Sequence, residues 1–229
     1  MTSWQDQKVT LTSANLDEAK ARELEQKFDS EVRFRSLAPA ADWLIGGLLI
    51  VLSLFHYYTA GFGLLQETVH RGIHLSFVLA LVFLVFPISK RGYEAPAKST
   101  LFRPLGIPIY DWLLAIGAVL AVAHVPLIPL DELAFRVGNP TTTDVILGGI
   151  LVIALLEGTR RSLGWPLPII ALIFMAYALA GQWMPGILTH PGNSVTQLID
   201  HLYLTSQGIY GVALGVVATY VFHFVLFGV

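Results

Sequence analysis

The sequence predicts an all-α, polytopic membrane protein of about six transmembrane helices, preceded by an amphipathic helix on the cytoplasmic side. Three observations lead there. Of 229 residues, 55% are hydrophobic and only 13% are charged, against about 25% charged in soluble domains. Mean hydropathy is +0.65. The apolar residues run in continuous stretches of bilayer length, where a lipid-facing barrel strand would alternate.

Residues 1–36 are polar, within an amino-terminal cytoplasmic or interfacial segment of 1–40. Acidic Asp17, Glu18, Glu23 and Glu25 occupy the place where a signal peptide would have its apolar core. Asn15-Leu16-Asp17-Glu18 reads as an N-cap with a carboxylate three residues on. Glu18/Arg22 and Glu23/Lys27 are i,i+4 pairs in the favourable order. Leu16, Leu24 and Phe28 give a thin apolar stripe. A short helix over 16–29 is expected, at the membrane surface or as a solvated tail.

Six spans follow: Asp42–Ala60, Ile73–Ser89, Tyr110–Leu130, Thr143–Gly158, Pro166–Leu188 and Gly208–Gly228. A crossing needs roughly 20 apolar residues, so the second and fourth must borrow from their flanks. With the amino terminus inside, the inner segments hold Lys8, Lys20, Arg22, Lys27, Arg33, Arg35, Lys90, Arg91, Lys98, Arg103, Arg160 and Arg161, and the outer loops hold only Arg71 and Arg136. By the positive-inside rule this places 61–72, 131–142 and 189–207 outside. Asp42, Asp111 and Asp144 each open a span, where a carboxylate accepts from free amides and meets the positive dipole end. The shared Asp-Trp opening of spans one and three hints at a duplicated hairpin, although capping alone explains it.

Several reaction classes are excluded. Without cysteine there is no disulfide, thiolate metal site, iron–sulfur cluster or cysteine nucleophile. A net charge of −2, with the basic residues scattered between apolar runs, gives no footprint for nucleic acid. No span offers a nucleophile, a base and an orienting group together, so no enzyme and no catalytic residue is expected. His56, His70, His74, His124, His190 and His201 fall at outer span ends or outer loops, where wetted interfacial imidazoles are the plain reading. The His70/His74 i,i+4 pair leaves a metal or haem alternative, but a bis-histidine haem wants pairs deeper on facing helices. No metal site is expected.

Two further features concern helix ends and helix faces. Glu157 lies three and four residues before Arg160 and Arg161, a spacing that pairs them as a helix-end anchor. Lys90 and Arg91 make a similar anchor after Pro87. In the sixth span Gly211, Gly215, Thr219 and His223 recur every fourth residue and share one face. Small residues there allow close helix approach. A hydroxyl and an imidazole at membrane depth point to a protein interior or a wetted path. The chain closes on Val225-Leu226-Phe227-Gly228-Val229, an apolar end without a polar flank, which predicts a polypeptide continuing past Val229.

A family resemblance rests on the order of several motifs. They are Phe86-Pro87-Ile88-Ser89-Lys90-Arg91, Asp111-Trp112, Leu156-Glu157-Gly158-Thr159-Arg160-Arg161-Ser162-Leu163-Gly164, Gly181-Gln182-Trp183-Met184-Pro185-Gly186, Gly208-Ile209-Tyr210-Gly211, Ala218-Thr219-Tyr220-Val221-Phe222 and Phe224-Val225-Leu226-Phe227-Gly228. Over roughly 40–229 the chain resembles the amino-terminal part of the fused permease of tripartite ATP-independent periplasmic (TRAP) transporters, in the TAXI-associated branch.

The resemblance implies a four-helix small-subunit-like scaffold over 41–162 and the start of a large, elevator-type transport domain over 163–229. It implies uptake of an organic anion such as a dicarboxylate, driven by sodium ions or protons without ATP and without a bound cofactor. The partners implied are a TAXI-type periplasmic solute-binding protein, docking on 61–72 and 131–142, and the remaining large permease portion or subunit. The location implied is a bacterial inner membrane with a cytoplasmic amino terminus. Gly215, Thr219, Tyr220, His223 and Gly228 are the expected pathway residues. Lys90, Arg91, Glu157, Arg160 and Arg161 are the expected anchors. The family continues for several hundred residues beyond this stretch, and it carries a small apolar or aromatic residue where His223 stands. Two other readings stay open from the residues: a structural membrane subunit that moves no solute, and a haem-binding redox subunit.

Overall fold

The computed structural model describes residues 34, 35, 37–88 and 102–228. The expected helix over 16–29 and the Lys90–Arg91 anchor lie outside them. From Arg35 onward the chain packs as one unit. Its helices are α1 (Pro39–Phe62), α2 (Glu67–Val85), α3 (Ile109–Leu127), α4 (Leu130–Arg136), α5 (Thr142–Ser162), α6 (Pro166–Ala180), α7 (Val195–Tyr203) and α8 (Val212–Phe227). No β-strand occurs among the described residues. Five helices are long and apolar enough to cross a membrane: α1, α2, α3, α5 and α6 with its 3₁₀ extension to Trp183. The chain is thus a polytopic helical membrane protein by length and composition.

The core forms where α2, α3 and α5 present narrow stripes to one another. Leu75, Leu79 and Phe83 of α2 meet Ala115, Ala118, Ala121, Val122 and Val125 of α3 and Leu151 and Ala154 of α5. The alanines let α3 lie close against its neighbours, the packing that helices use where lipid offers no hydrophobic drive for association. Glycines fill the tightest places. A Cβ at Gly72 would stand 2.6 Å from Pro126 Cγ, and one at Gly148 would stand 2.6 Å from Ile199 Cγ2 and 3.0 Å from Tyr203 Cβ.

Local chemistry sets the ends. α2 begins at Glu67, six residues before the expected Ile73, because the Gln66 side chain accepts from the Val69 amide. This draws His70 and Arg71 into the helix. α5 opens on a full capping box between Thr141 and Asp144, as the sequence implies. Asp111 does not cap its helix: no side-chain cap is made at the start of α3, and its carboxylate takes two arginines instead. α1 likewise starts without a side-chain cap, so Asp42 does not fill that role.

The sixth expected span shortens to α8. Gly208-Ile209-Tyr210-Gly211 forms a tight turn, with Gly208 and Ile209 amides on the Thr205 and Leu202 carbonyls and the Gly211 amide on Gly208. Any Cβ at Gly208 or Gly211 would run into neighbouring carbonyl oxygens. Two of the loops expected outside are partly helical as well: α4 spans Leu130–Arg136 and α7 spans Val195–Tyr203.

Candidate functional site

The site develops from an interruption in α8. Between Val217 and Val221 the helix widens to a π turn. In a regular helix the Phe222 amide would donate to the Ala218 carbonyl; here it points at Val217 and Thr219. The Ala218 carbonyl is left without its helical donor, and the His70 Nε2–H of α2 supplies one at 3.1 Å. π turns are rare and cluster at functional positions.

Around this break lie four histidines from three helices. His56 of α1 and His74 of α2 share one hydrogen between His56 Nε2 and His74 Nδ1, 2.9 Å apart. The His56 ring stands edge-on to His70, His74 and His223, with centroids 5.5, 5.0 and 5.4 Å away, and stacks tilted on Phe222 at 4.1 Å. His223 contacts two carbonyl oxygens, Thr219 through Nδ1 and His56 through Nε2 at 2.9 Å. The Nδ1 atoms of His56 and His70 are buried without a partner.

The expectation of wetted interfacial imidazoles therefore fails for His56, His70 and His74, which are 0–3% exposed. The expected start of span two at Ile73 hid this. Starting α2 at Glu67 puts His70 and His74 on its packed face. The arrangement does not suit a haem held between facing histidines, because rings bonded to each other at 2.9 Å leave no room for an iron between them. Among the described residues no group of histidine and carboxylate side chains is arranged to hold a metal ion.

Arg71 forms a second hold on α8. Its Nη1–H donates to the Tyr210 carbonyl at 2.6 Å, and it pairs with Glu67 one turn earlier. Gly215 packs against this guanidinium, so the small residue there makes room for Arg71 and not for another helix backbone. Thr219 bonds back to the Gly215 carbonyl at 2.7 Å. Thr219, Tyr220 and His223, with Thr59, Gly63 and Phe227, line an open cavity of about 510 Å³ between α1 and α8. Of the expected pathway residues, the structure brings Thr219, Tyr220 and His223 together at this cavity. Gly215 lies a turn away against Arg71, and Gly228 sits at the end of α8.

Charged clusters close the two ends of the bundle. At one end Asp111, fully buried, pairs with Arg35 and, at 2.7 Å, with Arg161. Arg161 also bonds Glu157 at 2.7 Å and the Phe86 carbonyl at 3.2 Å, and packs over Phe83. Glu157 takes Arg160 as well. The Glu157–Arg160–Arg161 pairing matches the sequence spacing, but Arg161 is an interior residue and not a surface anchor. At the other end Asp144 accepts from His124 at 2.8 Å, from Arg136 at 3.0 Å and from Thr141 Oγ1 at 2.7 Å. The Glu132 carboxylate, followed by Asp144, holds the Arg136 guanidinium above its ordinary range.

Sequence reasoning missed Asp111 and Arg35 as a pair and Tyr210 as an anchor. Tyr210 had a readable signal. Pro126 lacks an amide, so the Val122 carbonyl four residues earlier has no helical donor; the Tyr210 hydroxyl donates to it at 2.6 Å. No family model, curated protein or solved structure matches the chain.

Proposed function

We propose that the chain is a permease component of a binding-protein-dependent secondary transporter, driven by a sodium or proton gradient without ATP, that imports organic anions such as dicarboxylates across a bacterial inner membrane. The observation that carries this reading is the π break in α8 beside a largely apolar cavity into which Thr59, Thr219, Tyr220 and His223 bring the polar groups. Irregular backbone at membrane depth is tolerated where protein buries it or where it lines a cavity, and interrupted helices are where secondary transporters place their solute and ion paths. Thr219, Tyr220 and His223 are the pathway residues of this reading. The motif order through Leu156–Gly164 and Gly208–Gly228 supports it independently.

In this account the α1, α2, α3 and α5 bundle is the part that holds still in the bilayer. The residues after Leu163 begin the part that moves. The large permease portion covers apolar side chains that stand exposed on α6 and α8, among them Phe174, Phe224 and Phe227. A TAXI-type binding protein docks at the end carrying Arg136 and Asp144, and the amino terminus is cytoplasmic.

Uptake of labelled organic acids by cells with and without the gene tests this. Loss of uptake on deletion, with recovery on complementation and dependence on the binding protein, is expected. Unchanged uptake across a panel of mono- and dicarboxylates overturns it and leaves a structural membrane subunit.

A further inference from the structure

We infer that the loop after α6, residues 184–193, lies in the bilayer and not in water. It turns Trp183, Ile187 and Leu188 into the leaflet at the carboxyl end of α6, and His190 pins it there. Its partner is the hydrocarbon of phospholipid chains. From the apolar runs alone, 189–207 is expected as an aqueous loop, so the inference moves the boundary of the membrane.

The first support is charge. No Asp, Glu, Lys or Arg stands between Arg161 and Asp200, so no group in α6 or the loop carries the large penalty of a charge in lipid. The loop 131–142, also expected outside, carries Asp131, Glu132 and Arg136.

Backbone groups are the other obstacle, because hydrocarbon offers them no hydrogen-bond partner. Here the fold supplies partners. The Met184, Leu188 and Thr189 amides donate to the Gly181, Pro185 and Gly186 carbonyls, and the His190 and Asn193 amides donate to Gly181 and Ala178. The Gly192 amide goes to His190 Nδ1 at 3.1 Å and the Ser194 amide to Gln197 Oε1 at 2.8 Å. Pro185 and Pro191 have no amide to satisfy. The Gly186 and Ile187 amides, at the tip, are left for headgroups and interfacial water.

The same bonds set the depth. Tyr177 and Ala178 belong to the last turn of α6, a helix long and apolar enough to cross a membrane. His190 Nε2–H donates to the Tyr177 carbonyl at 3.1 Å, the Asn193 amide reaches Ala178, and the Tyr177 hydroxyl donates to the Leu188 carbonyl at 3.0 Å. Residues 188–193 therefore fold back beside the end of the span. The His190 ring occupies the space over Gly181, where a Cβ would stand 2.0 Å from its Cε1.

What projects from this closed loop is apolar. Trp183 is 83% exposed, Ile187 101% and Leu188 51%. They extend the apolar surface of α6, whose Ile173 and Phe174 are likewise exposed. Tryptophan at the end of a span sits with its ring in the interface. In water the same projection would be an uncovered apolar patch. The inference does not rest on the transport reading.

The test is electron paramagnetic resonance on the full chain in phospholipid vesicles. The chain has no cysteine, so Ile187→Cys carries a single nitroxide at an exposed position. Power saturation compares its collisions with oxygen, which concentrates in hydrocarbon, and with a nickel chelate, which stays in water. Phe174→Cys on α6 and Asn139→Cys in the charged loop give the two references. The expected oxygen-to-nickel ratio at 187 is several-fold above that at 139 and on the side of 174. A ratio equal to that at 139 overturns the proposal and leaves a solvated loop. A label that neither reagent reaches overturns it too, and assigns the tip to a protein partner. Adding His190→Ala is expected to lower the ratio at 187 several-fold while leaving 174 unchanged. An unchanged ratio at 187 overturns the assignment of His190 as the pin.

Discussion

Single residues in this protein matter mainly by completing hydrogen bonds that the helices cannot complete themselves. Pro126 removes the amide that Val122 needs, and Tyr210 replaces it at 2.6 Å. Tyr210→Phe should therefore cost about 1–3 kcal/mol, the penalty of a buried acceptor left unpaired. Tyr203 makes an equally short bond, to the Ala121 carbonyl at 2.6 Å, but the regular ladder donor of Ala121 is the Val125 amide. Tyr203→Phe should accordingly cost less than Tyr210→Phe, as read by thermal unfolding in detergent. Equal losses would show that the proline is not the reason for Tyr210. Asp111 is the opposite kind of case, a charge between two buried guanidinium groups. Asp111→Ala strands Arg35 and takes one of two carboxylates from Arg161, and should cost about 3–5 kcal/mol. The sequence marks Asp111 as a cap because its arginines lie 76 residues upstream and 50 downstream, and nothing local announces either. Glu157, by contrast, is legible, because its partners stand one turn away at fixed helical spacing.

At the scale of elements, α8 is held by side chains reaching its backbone. His70 takes the Ala218 carbonyl, Arg71 takes the Tyr210 carbonyl in the turn just before α8, and the His223 side chain of α8 reaches the His56 carbonyl of α1. Apolar burial adds little, since Gly215 and Ala218 are its buried positions. Removing a polar tether should thus loosen α8 more than trimming its apolar face. In hydrogen exchange, Arg71→Met should raise the exchange of amides 208–216 several-fold while leaving α2–α3 protection unchanged; uniform exchange would mean the tether is not local. The Gly211, Gly215, Thr219, His223 face was legible from the four-residue spacing. The π turn was not, because the residues Val217–Val221 are ordinary helix formers in lipid and the break shows only in where their amides point. The histidine cluster was half legible. The His70/His74 spacing was plain, but its depth depended on the start of α2, which a single glutamine cap set six residues early.

On the scale of the whole molecule, the helical membrane architecture followed directly from the apolar runs, and five of the six expected spans stand as long helices. The sixth is short because glycines at 208 and 211 fold its first residues into a turn. Two polar ends, built on Asp111 and Asp144, close a tightly packed α2–α3–α5 core, while α6 and α8 keep broad apolar faces exposed. That division suits a fixed scaffold followed by the start of a moving part, and transport is the central claim. It is tested most directly in right-side-out membrane vesicles, depleted of ATP and supplied with purified binding protein and a labelled organic acid. The account predicts accumulation that needs the chain, the binding protein and an imposed sodium or proton gradient, and that collapses with the matching ionophore. Accumulation that proceeds equally in vesicles lacking the chain, or that appears only when ATP is restored, would contradict it.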